Sequence, residues 1–187
     1  MSSTSDIAPD FTLPGYYRDK AHPFSLAETL DEGNAVVLLF YPFDFSPVCS
    51  DELCALRDAE WVDLLENVSV WAISSDSVYA HREFADENSI TFPLLSDTDA
   101  HVARKYGAAI DQLNGHRNVP NRAVYVVDEN RRIRYEWLAD EVLEKPDFFP
   151  VKEALDRVAE ESNNIETTNL DFEVVYSDTE EPLETGL

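Results

Sequence analysis

Bases, cysteines and long apolar runs are all scarce in this chain, and each shortage narrows what it can do. Fourteen Lys and Arg stand against 38 Asp and Glu, a formal net charge of −24, and only Lys20, Lys105, Lys145 and Lys152 are lysines. No basic patch is available to neutralise phosphates, which argues against nucleic-acid binding. No apolar stretch approaches the roughly 20 residues that a membrane-spanning helix needs. The opening residues Met1-Ser2-Ser3-Thr4-Ser5-Asp6 hold neither a basic region nor an apolar core, so no secretory signal is expected and the expected compartment is the cytoplasm. Repeats and low-complexity tracts are lacking too. Two cysteines, Cys49 and Cys54, are all that 187 residues carry. Paired thiols in a reducing compartment are more often catalytic or metal-binding than structural.

What is present is an ordinary core wrapped in acids. Hydrophobic residues make up 44% of the chain, enough for one domain with a normal interior. The acids are therefore read as surface charge, not as a sign of disorder. They serve either as a docking surface for a basic partner or as an adaptation to a very salty cytoplasm. Near 1 M salt the Debye length falls to roughly 3 Å, so repulsion is screened while carboxylates keep the surface hydrated. Because the acids are spread along the whole sequence, the salt reading, and with it a halophilic source, is preferred.

Strand and helix signals alternate. Phe11–Phe24 is expected to form a small hairpin. Ala35-Val36-Val37-Leu38-Leu39-Phe40-Tyr41 reads as a strand covered on both faces. Pro47–Glu66 reads as a helix with Leu53, Leu56, Ala59, Trp61 and Leu64 on its apolar side, and Val68–Ser74 as the next strand. Ser77 caps a helix to Asn88, and Gly107 closes a short one over Asp99–Tyr106. Arg122–Asp128 and Arg132–Trp137 read as two strands around a turn, and Asp147–Glu161 as a last helix with Pro150 in its first turn. The sum is an α/β domain over residues 1–161: an N-terminal β-hairpin, then a central mixed sheet with helices on both faces, the layout of a thioredoxin-like fold. Residues 162–187 form an acidic C-terminal tail with seven acids and no Lys or Arg. The tail is read as partly disordered or packed on the domain, with Leu170–Tyr176 as a candidate edge strand.

The chemistry concentrates in Pro42-Phe43-Asp44-Phe45-Ser46-Pro47-Val48-Cys49, which follows the apolar strand directly. With Ser46 as N-cap and Pro47 at the first helical position, Cys49 falls third, facing the free N–H groups that favour a thiolate. Pro42 ends the strand and can shield the sulfur. Asp44, Asp51 and Glu52 are close in sequence and raise a thiol pKa by like-charge repulsion, so a thiolate needs a cation from elsewhere. Arg122 is the candidate, because it begins a strand expected to lie beside the one carrying Cys49. Cys54 lies five residues on. In an unbroken helix that spacing separates Cα atoms by about 8.6 Å, whereas a disulfide needs less than about 7 Å. Any bond between the two must await local unwinding.

Together these residues resemble the peroxiredoxin family. Pro42-x3-Ser46-x2-Cys49 looks like its active-site motif, Arg122 matches its later arginine, and Cys54 at plus five is similar to the bacterioferritin-comigratory (PrxQ-like) subgroup. The resemblance runs from about Ser5 to Glu161 and includes Ala8-Pro9-Asp10-Phe11, Phe92-Pro93-Leu94-Leu95-Ser96-Asp97 and Tyr106-Gly107. It implies a thiol peroxidase in which Cys49 is peroxidatic and Cys54 resolving. On the same resemblance, Ser46 and Arg122 would hold the peroxide, Pro42 would shield the sulfur and Glu52 would orient Arg122. A thioredoxin-like reductant recycles the enzyme, no cofactor or metal is needed, and a monomer or weak homodimer is expected. Duller readings stand beside it. Cys54 could be a core residue, and Glu52 an acid complementing the helix dipole. His22, His81, His101 and His116 read as surface or capping residues, Trp61 and Trp71 as core, and Phe43 and Phe45 as linings of a substrate mouth. The alternative function is a thioredoxin-fold copper carrier or thiol–disulfide exchange protein, with His116 as the one histidine late enough to ligate.

Overall fold

In the computed structural model the described residues are 7–59, 67–162 and 176. A seven-stranded mixed sheet organises them, in the order β2-β1-β5-β4-β3-β8-β9. Its strands are β1 (Thr12–Tyr17), β2 (Lys20–Ser25), β3 (Ala35–Phe40), β4 (Val68–Ser74), β5 (Leu94–Ser96), β8 (Ala123–Val127) and β9 (Ile133–Leu138). A separate hairpin pairs β6 (Ala109–Leu113) with β7 (His116–Pro120). The helices are α1 (Leu26–Asp31), α2 (Pro47–Asp58), α3 (Val78–Asn88), α4 (His101–Lys105) and α5 (Phe149–Glu161).

The period-2 alternation of a strand sorts the core into two layers. Every residue of β3 is buried. Val37, Leu39 and Tyr41 point to the face that also holds Cys49, Leu53 and Leu56 of α2, Phe84 of α3 and Val151, Leu155 and Val158 of α5. Val36, Leu38 and Phe40 point the other way, to Leu26 and Leu30 of α1 and Val102 and Ala103 of α4. Val124 and Val126 of β8 join the first layer, and Tyr125 and Val127 the second. Burying a side chain such as Leu39 or Phe40 contributes about 1.5–3 kcal/mol, so a polar residue at either position would cost the sheet its centre.

β3 runs parallel to β4 and antiparallel to β8, with Phe40 opposite Ala123. That register brings Arg122, just before β8, to the end of β3 from which the chain turns into α2. The sequence expectation for this neighbour pair holds.

Several boundaries differ from the sequence reading. The helix expected over Pro47–Glu66 ends at Asp58, because Ala59 takes an extended conformation at its C-cap. Trp61 and Leu64, like the tail segment Leu170–Val175, lie outside the described residues. Four elements were not foreseen. α1 is capped by Ser25, whose Oγ accepts from Glu28 N at 3.3 Å. β5 is three residues long. The β6–β7 hairpin turns through Asn114 and Gly115, both at positive φ. Asn-Gly is a strong two-residue hairpin signal and was present in the sequence. The β1–β2 turn uses Arg18 and Asp19, also both at positive φ, a pair that carries no such signal.

Candidate active site

Three elements meet at Cys49. β3 delivers the loop 41–46, α2 starts at Pro47 and presents Cys49 from its first turn, and the residue before β8 contributes Arg122. Cys49 has no solvent exposure and Arg122 only 1%. Arg122 Nη2 donates to Cys49 Sγ at 3.0 Å, and Ser46 Oγ to the same sulfur at 3.2 Å. Ser46 occupies the N-cap position as expected, but its hydroxyl makes no cap bond to the helix. It serves the sulfur instead.

Every nitrogen of the Arg122 side chain is engaged. Nη1 pairs with Glu52 Oε2, and Nε donates to the Val142 carbonyl at 2.8 Å. The neighbour Asn121 braces the segment by donating to the Ala139 carbonyl at 2.9 Å. The guanidinium is thereby aimed at the sulfur by a carboxylate on one side and a backbone carbonyl on the other. No sequence signal marked Val142.

Burial raises the Cys49 thiol pKa most strongly, and Glu52 adds to the rise. Arg122 is the largest opposing influence, helped by Ser46 and by a backbone hydrogen bond at Phe43. Glu52 is fully buried, and its pKa is pushed up to about 7 by desolvation against the pull of Arg122 and Lys145. Its Oε1 has no hydrogen-bond partner among the described residues. Asp51 is ion-paired with Lys145.

Asp44 plays a different part from the one expected of it. Its Oδ1 accepts from Tyr41 Oη at 2.6 Å, its Oδ2 lies 2.8 Å from His81 Nδ1, and its backbone N–H donates to Asp76 Oδ2 at 2.7 Å. His81, expected on the surface or at a cap, is completely buried, with Nε2 3.1 Å from the Leu95 carbonyl. This cluster fastens the loop before Cys49 to α3 and β5. His22, His101 and His116 are exposed, as expected. Pro42 is buried beside the sulfur loop and its carbonyl accepts from Ser75 Oγ at 3.3 Å. Phe45 is 51% exposed, held at positive φ and packed edge-on to Phe84, while Phe43 lies against His116.

Cys54 sits in the same unbroken helix as Cys49, half-buried, and both are free thiols. Among the described residues one group of three potential metal ligands occurs, Asp97, Asp99 and His101, and it includes neither cysteine. His116 is thus not gathered with the thiols as a copper site would require.

The AhpC/TSA family pattern matches residues 4–136. The chain belongs to the AhpC/TSA family. A Coxiella burnetii relative named for the bcp peroxiredoxins is 37% identical over 70% of this chain and 84% of its own length. Peroxiredoxin Q of rice (Oryza sativa subsp. japonica), a chloroplast protein, is 34% identical over 71% of this chain, and the match spans 58% of the rice protein. Among solved structures, peroxidoxin BcpB of Mycobacterium tuberculosis superposes with a TM-score of 0.67 at 29% identity, covering 84% of this chain and 96% of that one. The family fold accounts for the sheet order, and membership makes the thiol chemistry of Cys49 the centre of interest. No helix among the described residues is long and apolar enough to cross a membrane.

Proposed function

We propose that this AhpC/TSA-family protein is a thiol peroxidase working through Cys49 and Cys54. The observation that carries the reading is the convergence of Arg122 and Ser46 on one buried sulfur. The Cys49 thiolate attacks the terminal oxygen of hydrogen peroxide or an organic hydroperoxide. An S–O bond forms as the O–O bond breaks, two electrons pass to the peroxide, and the departing hydroxide or alkoxide takes a proton to leave as water or alcohol. Arg122 and Ser46 stabilise the charge that moves onto the leaving oxygen, and Glu52 keeps Arg122 aimed. Pro42 shields the sulfur. Cys49 has no exposure while α2 is folded, so a protein thiol cannot reach its sulfur until the helix opens.

The first turns of α2 then unwind and Cys54 attacks the Cys49 sulfenic acid, giving an intrachain disulfide and releasing water. A thioredoxin-like dithiol restores both thiols by exchange. The same reading takes residues 1–161 as the catalytic domain, residues 162–187 as an acidic appendage, the protein as cytoplasmic and monomeric or weakly dimeric, and its acid excess as an adaptation to high salt.

Stopped-flow fluorescence with hydrogen peroxide, followed by mass spectrometry, tests the pathway. Cys49→Ser is expected to abolish peroxide turnover. Cys54→Ser is expected to consume one peroxide equivalent, stop as a sulfenic acid and recycle poorly with a thioredoxin-type reductant. Full turnover without Cys49, or unimpaired cycling without Cys54, rejects the corresponding role.

A further inference from the structure

The far end of α2 is tied down as carefully as its start, by a residue the peroxidase pathway has not used. Arg57 spreads its guanidinium over three partners. Its Nε and Nη2 grip both carboxylate oxygens of Asp58, at 2.7 and 2.8 Å. Its Nη1 reaches across to the carbonyl of Asn88, the last residue of α3, and also donates to Cys54 Sγ at 3.7 Å. The Cys54 thiol in turn donates to Asn88 Oδ1 at 3.6 Å, and Asn88 Nδ2 is fixed by the Phe84 carbonyl at 2.9 Å. A cation at the carbonyl end of a helix is favourably placed against the helix dipole, and the last carbonyls of α3 lack partners within the helix. Arg57 is only about a quarter exposed, so these contacts are less screened than those of a free surface pair.

We propose that Arg57 is a positioning residue for the resolving half-reaction: it latches the Cys54 end of α2 onto α3 until Cys49 is oxidised, and it supplies the positive charge beside the attacking sulfur. The two effects act in opposite directions on rate. The latch slows unwinding, and the charge raises the fraction of Cys54 present as thiolate. In the step itself the Cys54 thiolate attacks the sulfur of the Cys49 sulfenic acid, the S–S bond forms as the S–O bond breaks, and the hydroxide leaves as water after taking a proton. The two sulfurs share the oxidation between them, so no further oxidant or reductant enters. Among the described residues, the charges that act most on Cys54 lie on α2: burial raises its pKa, Arg57 opposes that rise, and Asp58 and Asp51 add to it. α3 contributes the uncharged Asn88.

This inference rests on Cys54 being the resolving thiol, and its test separates the two. The full-length wild type, Arg57→Met and Arg57→Lys are each pulsed with one equivalent of hydrogen peroxide. Disulfide formation is then timed across a pH series by quenching and mass spectrometry. Oxidation of Cys49, carried by other residues, reports in the same traces that each variant is folded. In Arg57→Met the pH midpoint of resolution is expected to move up by about half a unit or more, while the high-pH plateau rises about threefold or more. Arg57→Lys keeps the charge but cannot grip Asp58 and Asn88 together, so its midpoint stays and only the plateau rises. A profile for Arg57→Met that superimposes on wild type, or a midpoint shift equally large in Arg57→Lys, overturns the role of Arg57 alone. A wild type that forms no Cys49–Cys54 disulfide overturns the resolving role of Cys54 and this inference with it.

Discussion

Cys49, Arg122 and Glu52 place three ionisable groups in a space closed to bulk solvent, and their charges cannot be chosen independently. With thiolate and carboxylate both ionised, one guanidinium faces two anions. With Glu52 protonated, thiolate and guanidinium balance. Desolvation pushes Glu52 toward protonation, to a pKa of about 7, and its Oε1, which has no hydrogen-bond partner among the described residues, is the oxygen on which an uncompensated charge would be most costly. The stability consequence has a definite sign. A carboxyl whose folded pKa is raised binds more protons in the folded state than in the unfolded one, so stability falls as pH rises from its ordinary range through about 7. Over that window the loss from this residue is on the order of 3 kcal/mol. Glu52→Gln should therefore unfold in urea with a weaker decline between pH 5 and pH 8 than wild type, even though loss of the ion pair lowers its absolute stability. The Cys49 pKa should move down, because Glu52 is one of the groups holding it up. Parallel pH–stability curves for the two proteins would remove Glu52 as the titrating group.

At the scale of elements, the catalytic turn is held from behind by α3. His81 bridges Asp44 in the loop to the Leu95 carbonyl of β5, and Tyr41 and Asp76 complete the ring of hydrogen bonds. Replacing His81 by Leu leaves the Asp44 carboxylate buried without its main partner, a change that costs about 3 kcal/mol. Chemical denaturation is expected to show that loss, with slower peroxide oxidation of Cys49 as the loop loosens. Stability within 1 kcal/mol of wild type, about the net worth of one ordinary hydrogen bond, would show that the network does not hold the turn. This network also marks where the sequence stopped being legible. β3, β4, α2, β8 and α5 announce themselves by apolar periodicity, and Pro42, Ser46, Cys49 and Arg122 by a spacing tied to one strand–helix junction. His81 and Val142 do not, because their roles depend on elements brought together only by the sheet order. A histidine on a helix reads as surface unless the partner behind it is known. The acids misled in the same way: Asp97 is buried and caps α4 by accepting from Val102 N and Ala103 N, and Asp128 holds the β8–β9 turn through Asn130 N and Arg132 N. Local patterning shows that an acid is present, but not that a backbone will come to meet it.

For the whole molecule, the decisive quantity is the net charge of −24. A handful of acids are buried and matched, among them Asp44, Asp51, Glu52, Asp97 and Asp128, so they do not carry the excess. The excess lies on exposed positions such as Asp86 and Glu87 along α3 and Glu153 and Glu160 along α5. Such charges repel across the folded surface more than along an expanded chain, so the native state bears the larger penalty in dilute buffer. Screening acts within about 10 Å at 0.1 M and within about 3 Å at 1 M, which is when neighbouring carboxylates cease to oppose one another. A thermal melt in potassium chloride is accordingly expected to rise by roughly 5–10 °C between dilute buffer and molar salt, the equivalent of about 2–3 kcal/mol. Most of the gain should appear once the screening length falls below the spacing of adjacent acids, and peroxidase activity should follow the folded fraction. A melting temperature that stays flat over the whole range would mean that the acids serve something other than a salty interior, and a basic docking partner would then be the reading to pursue.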